Sequence, residues 1–562
     1  MRDHATTIFF HKDAYSTGGD KLMGRNAAGE SFLRGFLKYG QKCRNYWVQV
    51  HEENEARPFI DLAKRYGVSQ PINIVGYHNI ANNKLAGTVY YPGPDIAEQA
   101  RYRSLHDSAL YSICGITHTT SSQRAMDAIA RLITEPIQPW DSIICTSTAV
   151  KSNVESILTA QLDEYKERLG ITKVTLPSLP VIPLGIHTED FDFSEEDRIN
   201  ARVRFGISED TVVILYAGRL SFHAKANPFA MYVALERAAD STPGKIVLIE
   251  SGWFANDSIE AAFREAGSLL CPSVERIFAD GRIEDSRMSA WAAADIFCSL
   301  SDNIQETFGI VPVEAMAAGL PQVVSDWNGY KDTVRDGIDG VRIPTFSPRP
   351  GLGGDLSYRH ATGMDSYDMY CGNNSSLVAL DEDKLTTAFA ELIKSKSLRK
   401  RMGLSGRERA RKLFDWASII PRYEELWAEM AKIRAEHGNN DGVSRSKYLG
   451  RPRWPSRLDP TESFANYPTG HLDENTPLAV RCNDTKSIYE KYKLYNSLRI
   501  VNYTSITLPT EEEVMEIIKF LASSYPDTVK AGEVIANIKE KRRPFVLRAL
   551  VWMLKIGLIK IL

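Results

Sequence analysis

The 562-residue chain lacks several features that would narrow its class at once. It has no C-x-x-C spacing: the seven cysteines, Cys43, Cys114, Cys145, Cys271, Cys298, Cys371 and Cys482, are odd in number and scattered. That argues against a disulfide framework and a thiolate zinc site, and predicts a reducing compartment. No apolar run approaches the roughly 18–20 residues that a spanning helix needs. The opening "MRDHATTIFFHKD" reads as a first strand rather than a leader. Charge of one sign is also missing. With 68 basic and 71 acidic residues the net charge is -3, which argues against a general nucleic-acid binder. Internal repeats and low-complexity tracts are absent too. The remaining expectation is a cytoplasmic globular protein, able to touch the inner face of a membrane peripherally.

What is there is an alternation of short β-branched or aromatic runs with amphipathic segments, the pattern of doubly wound α/β domains. The first half offers "TTIFF", "YWVQV", "INIVGY", "GTVYY", "ICGITH" and "SIICTS"; the second offers "VVILYAGR", "KIVLIESG", "RIFADG", "DIFCSL", "PQVVSD" and "GVRIP". The fold class is therefore α/β, with two Rossmann-like domains facing a cleft and a small, mainly helical C-terminal module. The expected boundaries are 1–185 for the first domain, 186–420 for the second, 421–440 for a closing helix, 441–478 for an irregular linker and 479–562 for the module. One segment breaks the alternation: Thr345 to Ser376 is Gly/Pro-rich and reads as a long loop near a substrate cleft.

The chemistry concentrates in "SDNIQETFGIVPVEAMAAGLP". Its first part is a strand-to-helix loop, the place where ligands gather in open α/β sheets. Gly309 permits close backbone approach, and the helix start behind it offers unpaired N–H groups to a diphosphate. Glu306 in the loop and Glu314 inside the helix can each accept two hydroxyl hydrogen bonds, which suits the vicinal diols of a sugar and a ribose. A second strand ends in Gly218 and Arg219, with Lys225 beyond, and these two cations suit the charge that grows on a leaving diphosphate.

These stretches, "GRLSFHAK" at Gly218 to Lys225 and "ETFGIVPVEAMAAGLPQVVSDWNG" at Glu306 to Gly329, together with "PLGIHTEDF", resemble the retaining group-1 glycosyltransferases (family 4) of GT-B architecture. The motif "GRLSFHAKANP" resembles their exopolysaccharide-assembly subgroup. The resemblance implies Arg219 and Lys225 on the donor diphosphate, Glu306 at the donor sugar and Glu314 at the ribose. It also implies backbone contacts from Phe308, Gly309, Ile310 and Val311, and His118 lining the sugar site. Gly24, Arg25 and Asn26 would form a glycine-rich loop facing donor and acceptor. Retention would let the departing phosphate take the acceptor's proton, so no dedicated protein base is required; the two cations and the helix terminus would do the work of a metal, and no cofactor is expected. One departure stands out: five residues separate Arg219 from Lys225 where the family has four, so the loop must bulge.

Other features read as structural. His187 and His223 are expected to be solvated or capping. The "DFD" at Asp190 to Asp192 precedes a helix whose expected cap is Ser194. The partners implied are a nucleoside-diphosphate sugar and a glycan or lipid-linked acceptor. A nucleotide-sugar epimerase or hydrolase and a non-catalytic scaffold stay open as alternatives. In the tail, Val514, Ile517, Ile518, Leu521, Val534, Ile535, Ile538, Leu547, Leu550, Val551 and Leu554 recur at helical spacing, resembling a winged-helix module. Its basic excess fits either a stabilising cap with a solvated basic face or docking to an anionic membrane or an assembly protein, with nucleic acid disfavoured.

Overall fold

The structure, a computed structural model, describes residues 5–15, 24–40, 45–438, 454–504 and 506–562. The first sheet is built from β1 (Thr6–Phe9), β2 (Tyr46–Gln49), β3 (Ile72–Val75), β4 (Thr88–Tyr90), β5 (Ser112–Ile116) and β6 (Ser142–Ile144) in the order β3-β2-β1-β4-β5-β6, all parallel. The second uses β7 (Val212–Ala217), β8 (Ile246–Gly252), β9 (Glu275–Asp280), β10 (Ile296–Ser299), β11 (Gln322–Ser325) and β12 (Gly340–Ile343) in the order β12-β11-β10-β7-β8-β9, again parallel. Both orders are that of a dinucleotide-binding Rossmann fold, so each sheet reverses direction between its first and fourth strands. Helices cover both faces. That is why strands such as β1, β8 and β11 are buried along their whole length and read as continuous apolar or small-residue runs.

The chain crosses between the two domains twice, at one point in space. Ile186 donates its N–H to Phe414 O at 2.8 Å, and Trp416 N–H returns to Ile186 O at 3.0 Å. From there the helix Trp416–Gly438 lies on the first domain, against the helix Gly24–Tyr39. Its first residue is wedged between two backbones: a Cβ on Gly35 or on Gly185 would fall 2.5 Å from the Trp416 indole. Trp416 Nε1 donates to Ser31 Oγ at 2.7 Å, so the buried indole is satisfied.

The segment expected as a loop from Thr345 to Ser376 instead holds two short helices, Gly354–Ala361 and Tyr367–Ser375. The first buries none of its residues, so it carries no apolar stripe that periodicity could detect.

Residues 455–562 form a separate compact unit. Its middle strand, Pro477–Val480, pairs antiparallel with Val529–Lys530 and Ile559–Ile561. The sequence reading leaves the first two residues of that strand in the linker. Val514, Ile517, Ile518, Leu521, Val534 and Leu550 fill the core as the helical spacing requires, whereas Val551 is 51% exposed. Two of the basic residues are internally paired, Arg542 with Glu513 and Lys539 with Glu512. No helix among the described residues is long and apolar enough to cross a membrane.

Candidate active site in the second domain

In the second sheet the strand order reverses between β7 and β10, which is where a Rossmann fold places its ligand. The loops leaving these two strands carry the charged residues picked out by spacing. After β7, Gly218 and Arg219 lead into one helical turn, where Lys225 N–H donates to Ser221 O at 3.0 Å. That turn absorbs the extra residue between the two cations. Lys225 Nζ thereby reaches Glu306 Oε2 at 2.6 Å in the loop after β10. Arg219 Nη2 donates to Ala224 O at 2.9 Å and to Gln305 Oε1 at 3.1 Å, both neutral acceptors.

Glu306 is held from both sides. Thr307 N–H donates to its Oε1 at 3.2 Å, and the Phe308 N–H faces the same carboxylate. Burial alone would push this carboxyl up, but Lys225 and these N–H groups outweigh it and hold it below the usual range. Part of the backbone expected to meet phosphate is therefore turned toward Glu306. Phe308 itself is a core residue, 1% exposed.

Behind the loop, Gly309 sits at φ +84° with its would-be Cβ 2.1 Å from Tyr330 Cε1, so geometry and space both demand glycine. It opens the helix Ile310–Ala317, whose first turn has no side-chain cap and no acid. The Ile310 and Val311 N–H groups thus stand at an open positive terminus. Glu314 lies a turn further on. Burial pushes its carboxyl up to about 7, with Arg287 and Lys225 offsetting part of the rise and Asp190 adding to it.

The first domain reaches this loop directly. Thr307 Oγ1 donates to His118 O at 3.2 Å, which brings His118 beside the Glu306 loop. Ser147 Oγ donates to Thr307 O at 2.7 Å, and Thr148 donates to Asp332 from its N–H at 2.7 Å and its hydroxyl at 2.8 Å. Asn328, at φ +43°, donates to the Glu306 carbonyl. Ser147 and Gln305 carry no motif signal, because their partners lie in remote sequence. Asn328 had a signal in the Asn-Gly pair, which favours a left-handed turn. Asp302, also unmarked by pattern, is buried, has one carboxylate oxygen without a hydrogen bond among the described residues, and is pushed up to about 7 by burial.

Other singled-out residues stay outside this cluster. Asn26 Nδ2 donates to Asp13 O at 2.9 Å, while the side chains at Gly24 and Arg25 and the glycines before them lie outside the described residues. His187, expected as solvated or capping, is instead buried; Nε2 lies 3.2 Å from Ser31 O, and burial lowers its pKa to about 4. Asp190 pairs with Arg34, Asp192 pairs with Arg411, and Ser194 caps the next helix by accepting from Asp197 N–H at 3.1 Å. Among the described residues, no group of three or more His, Cys, Asp or Glu side chains is placed to hold a metal ion.

Comparison with known proteins agrees with this architecture. Residues 197–349 match the family described as glycosyl transferases group 1. A D-inositol 3-phosphate glycosyltransferase of Xylanimonas cellulosilytica is 24% identical over 238 residues, 42% of this chain and 55% of that protein. An uncharacterized glycosyltransferase of Methanocaldococcus jannaschii is 28% identical over 249 residues, covering 44% and 56%. The chain spans about half the length of these curated relatives. Among solved structures, HepE of Anabaena in complex with UDP and glucose overlays 76% of this chain and 100% of its own at a TM-score of 0.50 and 15% identity. Within the second α/β domain, residues 197–349 thus match the group 1 glycosyltransferase family, in a chain whose two Rossmann-like domains have the GT-B fold.

Proposed function

We propose that the protein transfers a sugar from a nucleoside-diphosphate sugar to a hydroxyl of a glycan or lipid-linked acceptor, with retention at the anomeric carbon and without a divalent cation. The observation that carries this reading is the Lys225–Glu306 contact of 2.6 Å, set between Arg219 and the open start of the helix Ile310–Ala317. Arg219, Lys225 and that helix terminus offer the diphosphate positive charge in a partly buried site, and stabilise it as the bond to the sugar breaks. Glu306, kept ionised by its surroundings, faces the sugar where positive character develops. Glu314 takes the ribose hydroxyls. The acceptor oxygen attacks from the face that the diphosphate leaves, and the departing phosphate oxygen receives its proton. Neither step needs a further protein base.

The support is the family match within the second domain, the strand-order reversal at which open α/β sheets commonly take ligands, and the convergence of residues from loops 81 positions apart. Residues 455–562 supply docking to an anionic membrane on the cytoplasmic side. There Ile500, Tyr503 and Ile506 are 82%, 69% and 90% exposed, and Phe545 lies under Arg542 and Arg548 at 4.9 and 4.8 Å. Incubation with a panel of nucleoside-diphosphate sugars and acceptors, with the product's anomeric configuration read by NMR, tests the reaction. An inverted product contradicts retention.

A further inference from the structure

The helix pair 354–375 lies just beyond the matched family region, and it is a folded unit rather than a slack loop. Arg359 grips Asp365 through two hydrogen bonds of 2.9 and 2.7 Å, and Asn373 Nδ2 donates to the same carboxylate at 3.0 Å. The His360 and Tyr370 rings stack with centroids 4.1 Å apart. The second helix rides on the turn that carries Lys225: a Cβ added to Gly372 would sit 3.0 Å from His223 Cβ. At its other end the Tyr367 hydroxyl crosses to the first domain, 2.8 Å from Ser121 Oγ and 3.4 Å from Thr119 Oγ1, in the loop that follows His118. The Gln305 amide faces that hydroxyl as well, and Gln305 Oε1 is the acceptor for Arg219.

We propose that Tyr367 is a positioning residue that links contact between the two α/β domains to the placement of Gln305 and Arg219 at the diphosphate site. The inference rests on the donor reading above. With Ser121 engaged, the phenol fixes the Gln305 side chain, and Gln305 in turn holds the Arg219 guanidinium ready for the phosphates. When the domains part, Tyr367 loses its partner in the first domain and Arg219 loses this restraint. Diphosphate binding should therefore depend on a serine in the other domain that lies outside the cluster of Arg219, Lys225 and Glu306.

A double-mutant cycle on the full chain tests this, using Tyr367→Phe, Ser121→Ala and the pair, with calorimetric titration of uridine and guanosine diphosphates. Tyr367→Phe removes one hydroxyl and keeps the ring, so folding is preserved. Each single change is expected to weaken diphosphate binding about three- to tenfold, the value of one hydrogen bond. The double variant is expected to bind no more weakly than the more damaging of the two single changes. A purely structural tyrosine would lower the melting temperature and leave the Kd alone. Losses that add, or a Tyr367→Phe Kd equal to wild type, overturn the inference alone. Wild-type protein that binds neither diphosphate overturns the donor reading, and this one with it.

Discussion

Lys225 Nζ donates to Glu306 Oε2 across 2.6 Å, so the cation assigned to the diphosphate is already engaged by the carboxylate assigned to the sugar. Their side chains are 23% and 10% exposed, which leaves little water to screen the pair. A diphosphate bound as proposed would share Lys225 with Glu306.

That sharing gives opposite effects in one variant. Glu306→Gln keeps the shape and releases Lys225, so nucleoside-diphosphate affinity should hold or rise, by up to about tenfold. Turnover should fall by roughly 10²–10³, because the charge beside the developing positive centre is gone. Titration and steady-state kinetics on the same preparation check it, and a variant that loses affinity while keeping turnover contradicts the assignment.

Glu314 gives a pH signature. Its carboxyl is pushed from an ordinary 4.5 up to about 7 in the unliganded fold, so between those values the native state binds more protons than the unfolded chain. Stability then falls as pH rises through that window and is flat above it. Glu314→Gln removes this cost. The variant should match wild type near pH 4.5 and gain on the order of 1–3 kcal/mol at pH 8, as read by urea unfolding at both pH values. Equal differences at the two pH values contradict a raised Glu314.

At Gly309 the prediction is steric. Alanine would need φ near +84° and would place its Cβ 2.1 Å from the Tyr330 ring, whose hydroxyl bonds Ser299 Oγ at 2.8 Å and so resists moving. Gly309→Ala should cost more than about 2 kcal/mol and lower the melting temperature by several degrees. A variant with wild-type melting shows that the loop yields more easily than its packing indicates.

Every strand of the two large sheets was legible, because runs such as "VVILYAGR" and "KIVLIESG" are apolar, bounded by turn residues and buried on both faces. The positions of Gly218, Arg219, Gly309 and Glu314 were legible for a related reason: they sit close to a strand end or a helix start. Contacts between domains were not. Ser147 meets Thr307 across 160 positions and Tyr367 meets Ser121 across 246, and no local period records such pairs. The helix Gly354–Ala361 escaped for want of an apolar face, and the middle strand Pro477–Val480 because its four residues end a polar, irregular stretch.

The separate core of residues 455–562 yields a truncation test. A chain ending at Trp454 should keep its nucleoside-diphosphate affinity within about twofold, since every contact assigned to the donor lies before that point. Its association with vesicles containing phosphatidylglycerol should drop at least about tenfold in a sedimentation assay. Undiminished sedimentation of the shortened chain contradicts the docking role.

Arg219 and Lys225 are proposed to hold a nucleoside-diphosphate sugar without a divalent cation. Calorimetric titration of the full chain with a panel of such sugars, with and without EDTA, tests it most directly, with the Arg219→Ala variant alongside. The expected result is binding in the wild type that EDTA leaves unchanged, and a loss of at least about tenfold in Arg219→Ala. Binding that vanishes with EDTA, or an Arg219→Ala variant that binds as well as wild type, would contradict it.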